Sequence, residues 1–197
     1  MTDPSAYTYP SPLSVYNPCQ PLPPLPTDRD PQDGKSLLNP PRTNPDGSSD
    51  RSSAYDRFVS PLENGRRGAF DVHVYHFQTS PEQTRYAREL WERIRREFPE
   101  LRIYTFWDKP VGPHPVAMFE VNLLTPEQFG AFVPWLAIWR GPLSVLVHPN
   151  TVASEDDGGE EEMMSEGQRE ARNHTQRAIW MGERIPLNTA MFKQMDS

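Results

Sequence analysis

The residues of this chain that could do chemistry are its five histidines, which are His73, His76, His114, His148 and His174. A neutral imidazole binds metal ions, and a protonated one donates a proton near neutral pH. The single cysteine, Cys19, allows neither an intrachain disulfide nor a cysteine-based metal site. Any one histidine taken alone is more often structural than a ligand, so the elements that position all five decide the interpretation.

The first 66 residues differ in composition from the rest of the chain. Thirteen of the 23 prolines lie before residue 62, and apolar pairs are rare there. Such a segment buries too little apolar surface to offset the entropy of ordering it, so we expect a disordered Pro-rich tail over 1–66. The run Pro21-Leu-Pro-Pro-Leu-Pro26 resembles polyproline-II ligands of SH3 or WW domains, and the alternative is a solubilising linker.

Charge is also unevenly distributed. Eight acidic side chains between Glu155 and Glu170 carry much of the net charge of −7, and they predict a solvated, flexible insertion over 152–172. The net negative charge argues against a general nucleic-acid binder, which would need a basic face to neutralise phosphates. No segment has the pattern of a secretory signal, and none is apolar enough to span a bilayer. We therefore expect a cytoplasmic protein without a membrane association.

Hydrophobic periodicity between residues 67 and 190 predicts alternating strands and helices. Capping signatures at Ser80 and Thr125 begin two helices, and Pro134 should break or kink the second. Strands are expected over 69–77, 101–107, 116–121, 143–148 and 177–181. This order predicts an α+β fold, a ferredoxin-like βαββαβ sandwich with an appended C-terminal strand, followed by a tail over 191–197.

Four segments, in order between Phe70 and Leu187, resemble the DOPA 4,5-dioxygenase family of fungi and bacteria. They are Asp71-Val-His-Val-Tyr75, Val111-Gly-Pro-His-Pro-Val-Ala-Met-Phe-Glu120, Leu143-Ser-Val-Leu-Val-His-Pro-Asn-Thr151, and Asn173-His-Thr175 with Ile179-Trp-Met-Gly-Glu183. The resemblance implies a ferredoxin-like domain, often a homodimer, that uses non-haem Fe(II) and dioxygen to open a catechol such as L-DOPA. The acidic insertion and the N-terminal tail depart from the family pattern.

Extradiol cleavage, which the resemblance implies, needs two imidazoles and one carboxylate on one side of Fe(II). Strand alternation places His73, Glu120 and His148 on one sheet face and the valines on the face under the helices. In a ferredoxin-like sheet the first strand lies between the third and fourth and is antiparallel to both. These three side chains are therefore the predicted metal ligands, although Glu120 could instead pair with an arginine at the rim.

The remaining histidines receive different roles. His114 lies toward the opposite end of the sheet and His174 precedes the last strand, so both are candidates for taking and returning a catechol proton. Tyr75 shares the face of the metal ligands and is the candidate substrate contact, whereas His76 points to the valine face and is excluded. The competing hypothesis is a non-catalytic dimeric binding or scaffold protein that keeps its histidines for packing and recruits a partner through its tail.

Overall fold

The computed structural model describes residues 11–13, 16, 19–40, 51–63, 65, 67–153 and 162–196, and it divides into two units, 1–52 and 53–197. In the first unit the described residues contain no helix or strand, and a single bridge joins Arg29 to Leu37. Residues 1–10 and 41–50 of the predicted tail, and 154–161 of the predicted insertion, lie outside the described residues.

One antiparallel five-stranded sheet organises the second unit, in the order β2-β3-β1-β4-β5. The strands are β1 Phe70–His76, β2 Arg102–Ile103, β3 Ala117–Leu123, β4 Ser144–Pro149 and β5 Ile179–Met181. The helices are α1 Pro81–Glu97, α2 Pro126–Trp139, α3 Glu166–Thr175 and α4 Ala190–Lys193. The predicted α+β class and the ferredoxin-like strand order with an appended strand are confirmed. Among the described residues, no helix has the length and hydropathy needed to cross a bilayer.

The main core lies between the valine face of the sheet and helices α1 and α2. Val72 and Val74 of β1 are fully buried there with Leu90 and Ile94 of α1. Both helices begin at the predicted caps, since the side chains of Ser80 and Thr125 accept hydrogen bonds from backbone N–H groups three residues on. This core fixes which face of each strand is left for the histidines.

One predicted strand is much shorter than expected, and the helix predicted to break or kink at Pro134 does not break there. The second strand, expected over 101–107, contains only Arg102–Ile103, although single hydrogen bonds to β3 continue at Tyr104 and Trp107. Helix α2 continues through Pro134 instead of breaking there. Phe132 and Leu136 are both fully buried, so packing on either side of the proline offsets its missing hydrogen bond.

The folded unit also extends further at both ends than the sequence indicated. Phe58, in the predicted tail, is buried and packs its ring 5.5 Å from that of Phe70. Residues 166–172 of the predicted insertion form most of α3, whose capping box pairs Ser165 with Gln168. At the other end, Phe192 of α4 is buried with its ring 4.9 Å from that of His174.

The C-terminal segment is joined closely to the start of α3. The Asp196 carboxylate accepts hydrogen bonds from the Ser165 hydroxyl at 2.6 Å and the Gly167 backbone N–H at 2.8 Å. Gly167 has to be glycine, because a Cβ there would lie 2.0 Å from the Phe192 carbonyl oxygen. This contact holds Phe192 against the histidine side of the sheet.

We expect Gly167→Ala to lower the free energy of unfolding by about 1–3 kcal/mol, because the C-terminal segment must shift to admit a methyl group. Gly130→Ala is the matched control, since Gly130 also lies in a helix and its Cβ would meet nothing within 4 Å. That control should gain up to about 1 kcal/mol from helix propensity. Urea unfolding measures both variants, and equal midpoints would contradict the proposed close approach.

Candidate metal centre

The register of β1 brings the histidine-bearing positions of three strands together. His73 pairs with Glu120 of β3, and Asp71 pairs with His148 of β4. Directly paired residues of an antiparallel sheet point to the same face. The prediction that β1 lies between β3 and β4 and runs antiparallel to both is confirmed, so these four side chains share the face opposite the valines.

Four imidazoles meet on this face and are called the histidine cluster: His73, His114, His148 and His174. The Nε2 atoms of His73 and His148 lie 3.0 Å apart. Ring centroids are 3.8 Å apart for His148 and His174, and 4.1 Å apart for His73 and His114. All four side chains are buried, so the cluster is a connected group of nitrogen atoms shielded from water.

His114 reaches the cluster from a turn, and the prediction that it lies at the opposite end of the sheet was wrong. It precedes β3, and paired backbone hydrogen bonds with Val111 fold the turn over the sheet face. Its Nδ1 lies 2.7 Å from the Tyr75 hydroxyl. His114 lies in this turn and not in β3, so its place in the structure could not be predicted from strand order.

Backbone carbonyls determine the tautomers of two cluster members. His148 Nδ1 donates to the Pro149 carbonyl at 3.0 Å, and His174 Nδ1 donates to the Glu170 carbonyl at 2.9 Å. A neutral imidazole carries one proton, so Nε2 of each ring holds a lone pair directed into the cluster. This is the arrangement that metal-binding histidines have, with the second nitrogen donating to a carbonyl.

Two carboxylates border the cluster. Asp71 Oδ2 lies 4.0 Å from His148 Nε2, and Glu120 Oε2 lies 3.9 Å from His73 Nδ1. The Asn122 amide donates to both carboxylates, at 2.6 Å to Asp71 and 2.9 Å to Glu120. A single amide therefore holds the two acidic side chains beside the imidazoles.

Among the described residues, two sets of three have ligand atoms within 4.8 Å of one another. One set contains Asp71, His73 and His148, and the other contains His73, His114 and His174. Glu120 belongs to neither set. Sequence reasoning missed Asp71, although its place two residues before His73 put it on the same strand face.

Burial dominates the protonation of the cluster. It lowers the pKa of His114 and of His148 to about 3, and it lowers the pKa of His73 and His174 well below the usual range. Burial, followed by the nearby Glu120, raises the pKa of Asp71 to about 7. The imidazoles are therefore neutral near pH 7, which is the form that binds metal ions.

The cluster fits a divalent metal ion. His73 Nδ1 is buried without a hydrogen-bond partner, which is rare for a polar atom in a folded protein. The lone pair on His148 Nε2 forces His73 to place its proton on Nε2, leaving Nδ1 bare. A cation at the two Nε2 atoms would return that proton to Nδ1, which faces Glu120.

Comparison with known proteins agrees with this geometry. A family profile described as "Dopa 4,5-dioxygenase family" matches residues 70–191. The chain belongs to this family. It is 61% identical over 195 residues to an uncharacterized 21.2 kDa protein of Botryotinia fuckeliana, covering 99% of this chain and 96% of that one. Every member of the histidine cluster lies inside the family match.

More distant relatives are similar over part of the chain. A DOPA 4,5-dioxygenase of Amanita muscaria is 31% identical over 123 residues, which is 60% of this chain and 46% of the Amanita protein. A crystal structure of a candidate dioxygenase from Nostoc punctiforme is 27% identical, with a TM-score of 0.48, and the match covers 65% of this chain and 93% of that one. The chain thus spans less than half the length of the Amanita enzyme.

Two further predicted positions lie where the family resemblance and the sheet pattern suggested. Tyr75 is on the histidine face, buried and stacked 5.8 Å from Trp180, and burial raises the pKa of its hydroxyl well above the usual range. His76 points to the opposite face, where its ring stacks on Phe106 and its nitrogens contact Thr84 Oγ1 and the Trp107 carbonyl. The exclusion of His76 from the cluster is confirmed.

The metal-free protein should lose stability as the pH falls from 7 to 5. Histidines of the unfolded chain bind protons below about pH 6.5, whereas the buried histidines stay neutral. Each buried histidine therefore lowers the free energy of unfolding by up to about 1.4 kcal/mol per pH unit below that value. The raised pKa values of Asp71 and Glu120 act in the opposite direction, but two carboxyls oppose four imidazoles. Urea unfolding after chelation measures the slope.

Asp71→Asn provides the control for this pH dependence. It removes one opposing carboxyl, so the fall in stability between pH 7 and 5 should become steeper. Constant stability over this range in the chelated wild type would show that the cluster is not held neutral by burial.

Proposed function

We propose that this chain is a non-haem Fe(II)-dependent extradiol dioxygenase, which uses dioxygen to open a catechol ring. The proposed substrate is a catechol such as L-DOPA, which would be cleaved between carbons 4 and 5 to a seco-DOPA product of the betalamic-acid type. The observation that carries the proposal is the buried set of two imidazoles and one carboxylate in His73, His148 and Asp71. Membership of the family and the named activity of the Amanita relative support the same chemistry.

His73, His148 and Asp71 are the proposed iron ligands. Two histidines and one carboxylate are the donor set of non-haem Fe(II) oxygenases, and they leave positions for a catechol and dioxygen. Asp71 replaces Glu120 in this set because its carboxylate lies beside His148 Nε2 within the compact group. Glu120 then faces His73 Nδ1, where it can accept the ring proton and orient the ligand.

His174 and His114 are proposed to handle the catechol protons. His174 Nε2 carries a lone pair because its Nδ1 donates to the Glu170 carbonyl, so it can accept a proton from a catechol hydroxyl. His114 lies 5.8 Å from His174 between ring centroids and is hydrogen-bonded to Tyr75, which stays protonated. The Tyr75 hydroxyl thus orients His114, and Tyr75 is the proposed substrate contact on this face.

The residues that close the site keep water from competing for these protons. Phe192 covers His174 from the C-terminal segment, and Arg67 pairs with Glu170 at 2.9 Å, on the turn of α3 that holds the His174 ring. A buried site strengthens hydrogen bonds and charge interactions because the local dielectric is low. The closed face therefore supports proton transfer between substrate and imidazole.

The unpaired nitrogen of His73 argues against the alternative of a binding protein with packing histidines. Histidines retained for packing have their polar atoms satisfied, as those of His76 are. A homodimer, a cytoplasmic location and an SH3 or WW partner for residues 21–26 remain predictions.

The iron content of purified variants distinguishes the two possible ligand sets. We expect about one iron per wild-type chain, and its loss in His148→Ala and Asp71→Asn, because each removes one of three ligands. Glu120→Gln and His174→Gln should retain most of the metal. Elemental analysis measures this, with His76→Gln as a histidine control outside the cluster. Iron lost from His174→Gln but kept by Asp71→Asn would support the other set and contradict ours.

Activity separates ligands from proton handlers. Fe(II)-loaded wild type should consume oxygen with L-DOPA and form a yellow seco-product. His174→Gln should keep its iron while kcat falls about 10²- to 10⁴-fold, the usual contribution of a general acid or base. Oxygen electrode traces and product absorbance test this. Failure of wild type to consume oxygen with any catechol would end the extradiol proposal.

A further inference from the structure

The rings of the histidine cluster are too deeply buried for a catechol to touch them as the chain stands. The four imidazole residues and Tyr75 beside them are between 1% and 6% exposed. A substrate that reaches this site must contact these side chains directly. Some part of the structure that covers them therefore has to open before binding and close after it.

The groove at the β2 edge of the sheet does not expose the rings. Its lining consists of Glu63, Arg67, Arg102 and Tyr104, which all lie outside the cluster. On the neighbouring strand β3 the Glu120 side chain is 20% exposed, whereas the His73 side chain that it faces is 4% exposed. Solvent at this edge thus reaches the border of the cluster and stops short of the imidazoles.

The C-terminal segment after β5, residues 182–196, covers part of the histidine face and is held there by few buried side chains. Among these residues there is no strand, and α4 is a single turn of four residues. Ile185 and Phe192 are buried and Leu187 is half-buried, while every other residue of the segment is exposed. Segments with so little buried surface are the ones that open locally at low cost.

The buried side chains of the segment lie over the parts of the site that a catechol would need. The Phe192 ring lies 4.9 Å from that of His174. Ile185 packs into an apolar group on the same sheet face, which contains Tyr75, Met118 and Leu146. Lifting the segment would therefore uncover the histidine cluster and the apolar surface beside it together.

Polar contacts at the middle and at the end of the segment keep it closed. The Asn188 N–H donates to the Pro113 carbonyl at 2.8 Å, which joins the segment to the turn that carries His114. At the end, the Asp196 carboxylate accepts its hydrogen bonds from Ser165 and Gly167 at the start of α3. Both contacts lie outside the ladders of the sheet, so the segment can open without breaking a strand pair.

The Asp196 contact is suited to act as the latch. It is made by an exposed carboxylate near the end of the chain, and a negative charge at a helix N-terminus is favoured by the helix dipole. The hydrogen bond from Ser165, followed by that from Gly167, lowers the pKa of Asp196, so the carboxylate is charged near neutral pH. One side chain thus fastens the free end of the cover.

We infer that the C-terminal segment is a lid that opens to admit the catechol to the histidine cluster, with Asp196 as its latch on the first turn of α3. The inference rests on the proposed function for the identity of the ligand, whereas access to the rings is independent of turnover. A lid that is mostly closed slows binding in proportion to the time that it spends open. Once closed over the substrate, it restores the water-excluded site.

Chemical modification of the metal-free full-length chain measures opening. Diethyl pyrocarbonate reacts with accessible neutral imidazoles, and peptide mass spectrometry identifies the modified residue. Asp196→Ala should raise the rate at His174 by about three- to tenfold, the range for the loss of one or two hydrogen bonds. His76 is buried on the opposite face, so its rate should stay unchanged and report any global unfolding. Equal rates at His174 in Asp196→Ala and wild type would overturn the inference.

Two further variants separate the latch from general stability. Gly167→Ala disturbs the same contact from α3, because its Cβ would lie 2.7 Å from Asp196 Oδ2, and it should also raise the His174 rate. Thr125→Ala is the matched control, since it removes the cap of α2 on the valine face and should leave the rate unchanged. A Thr125→Ala chain as reactive at His174 as Asp196→Ala would contradict a specific latch.

Binding kinetics connect the lid to the catechol. When the Fe(II)-loaded chain is mixed anaerobically with 4-methylcatechol, the observed rate should level off at the opening rate, because the closed form cannot bind. Asp196→Ala should raise this plateau by about three- to tenfold. Tyr104→Ala, which widens the groove at the β2 edge, should leave it unchanged. A plateau raised by Tyr104→Ala and not by Asp196→Ala would make the β2 edge the entrance and contradict the lid.

The lid and the proposed function fail separately. A chain whose His174 becomes accessible in Asp196→Ala, but which consumes no oxygen with any catechol, would keep the lid and lose the dioxygenase proposal. A wild type that opens catechols, while the latch variants change neither His174 modification nor the binding plateau, would keep the dioxygenase proposal and lose the lid.

Discussion

The position of β1 between β3 and β4 is the constraint on which the site depends. Antiparallel pairing puts His73 opposite Glu120 and Asp71 opposite His148, so one register sets four polar side chains beside one another. A shift of one residue would exchange the two faces and place valines where the imidazoles are. The buried valine face prevents that shift, because it would expose Val72 and Val74 to the polar side. The main core thus fixes which residues of β1 face the site.

Burial then gives this arrangement its chemical character. Charged imidazoles are disfavoured in a closed site, so the cluster consists of neutral rings whose lone pairs are directed by hydrogen bonds to backbone carbonyls. The same burial leaves His73 Nδ1 without a partner and raises the pKa of Asp71. Each of these features is costly in a protein without a ligand, and a bound divalent cation would relieve each of them. The cost of the metal-free cluster and its capacity to hold a metal ion therefore have one origin.

The order of the predicted elements was enough to predict the fold class and the strand order, and strand alternation predicted the face shared by His73, Glu120 and His148. It could not predict His114, because that residue lies in a turn whose path depends on the bridge to Val111. It also could not predict α3 as a structural element. The acidic composition around Glu166 and Glu170 indicates a solvated segment, but Gly167 and the capping box at Ser165 allow one face to pack against the C-terminal segment.

The two edges of the sheet explain why the site is closed on one side and open on the other. Beyond β4, helix α3 and Phe192 cover His148 and His174, which keeps the ring nitrogens of both histidines buried. Beyond β3, the second strand is only two residues long, so the sheet ends early and the Arg102 edge stays accessible. A full second strand and a covering helix there would have sealed the face completely. The short β2 therefore leaves the histidine face open to solvent at this edge, whereas the opposite edge is covered.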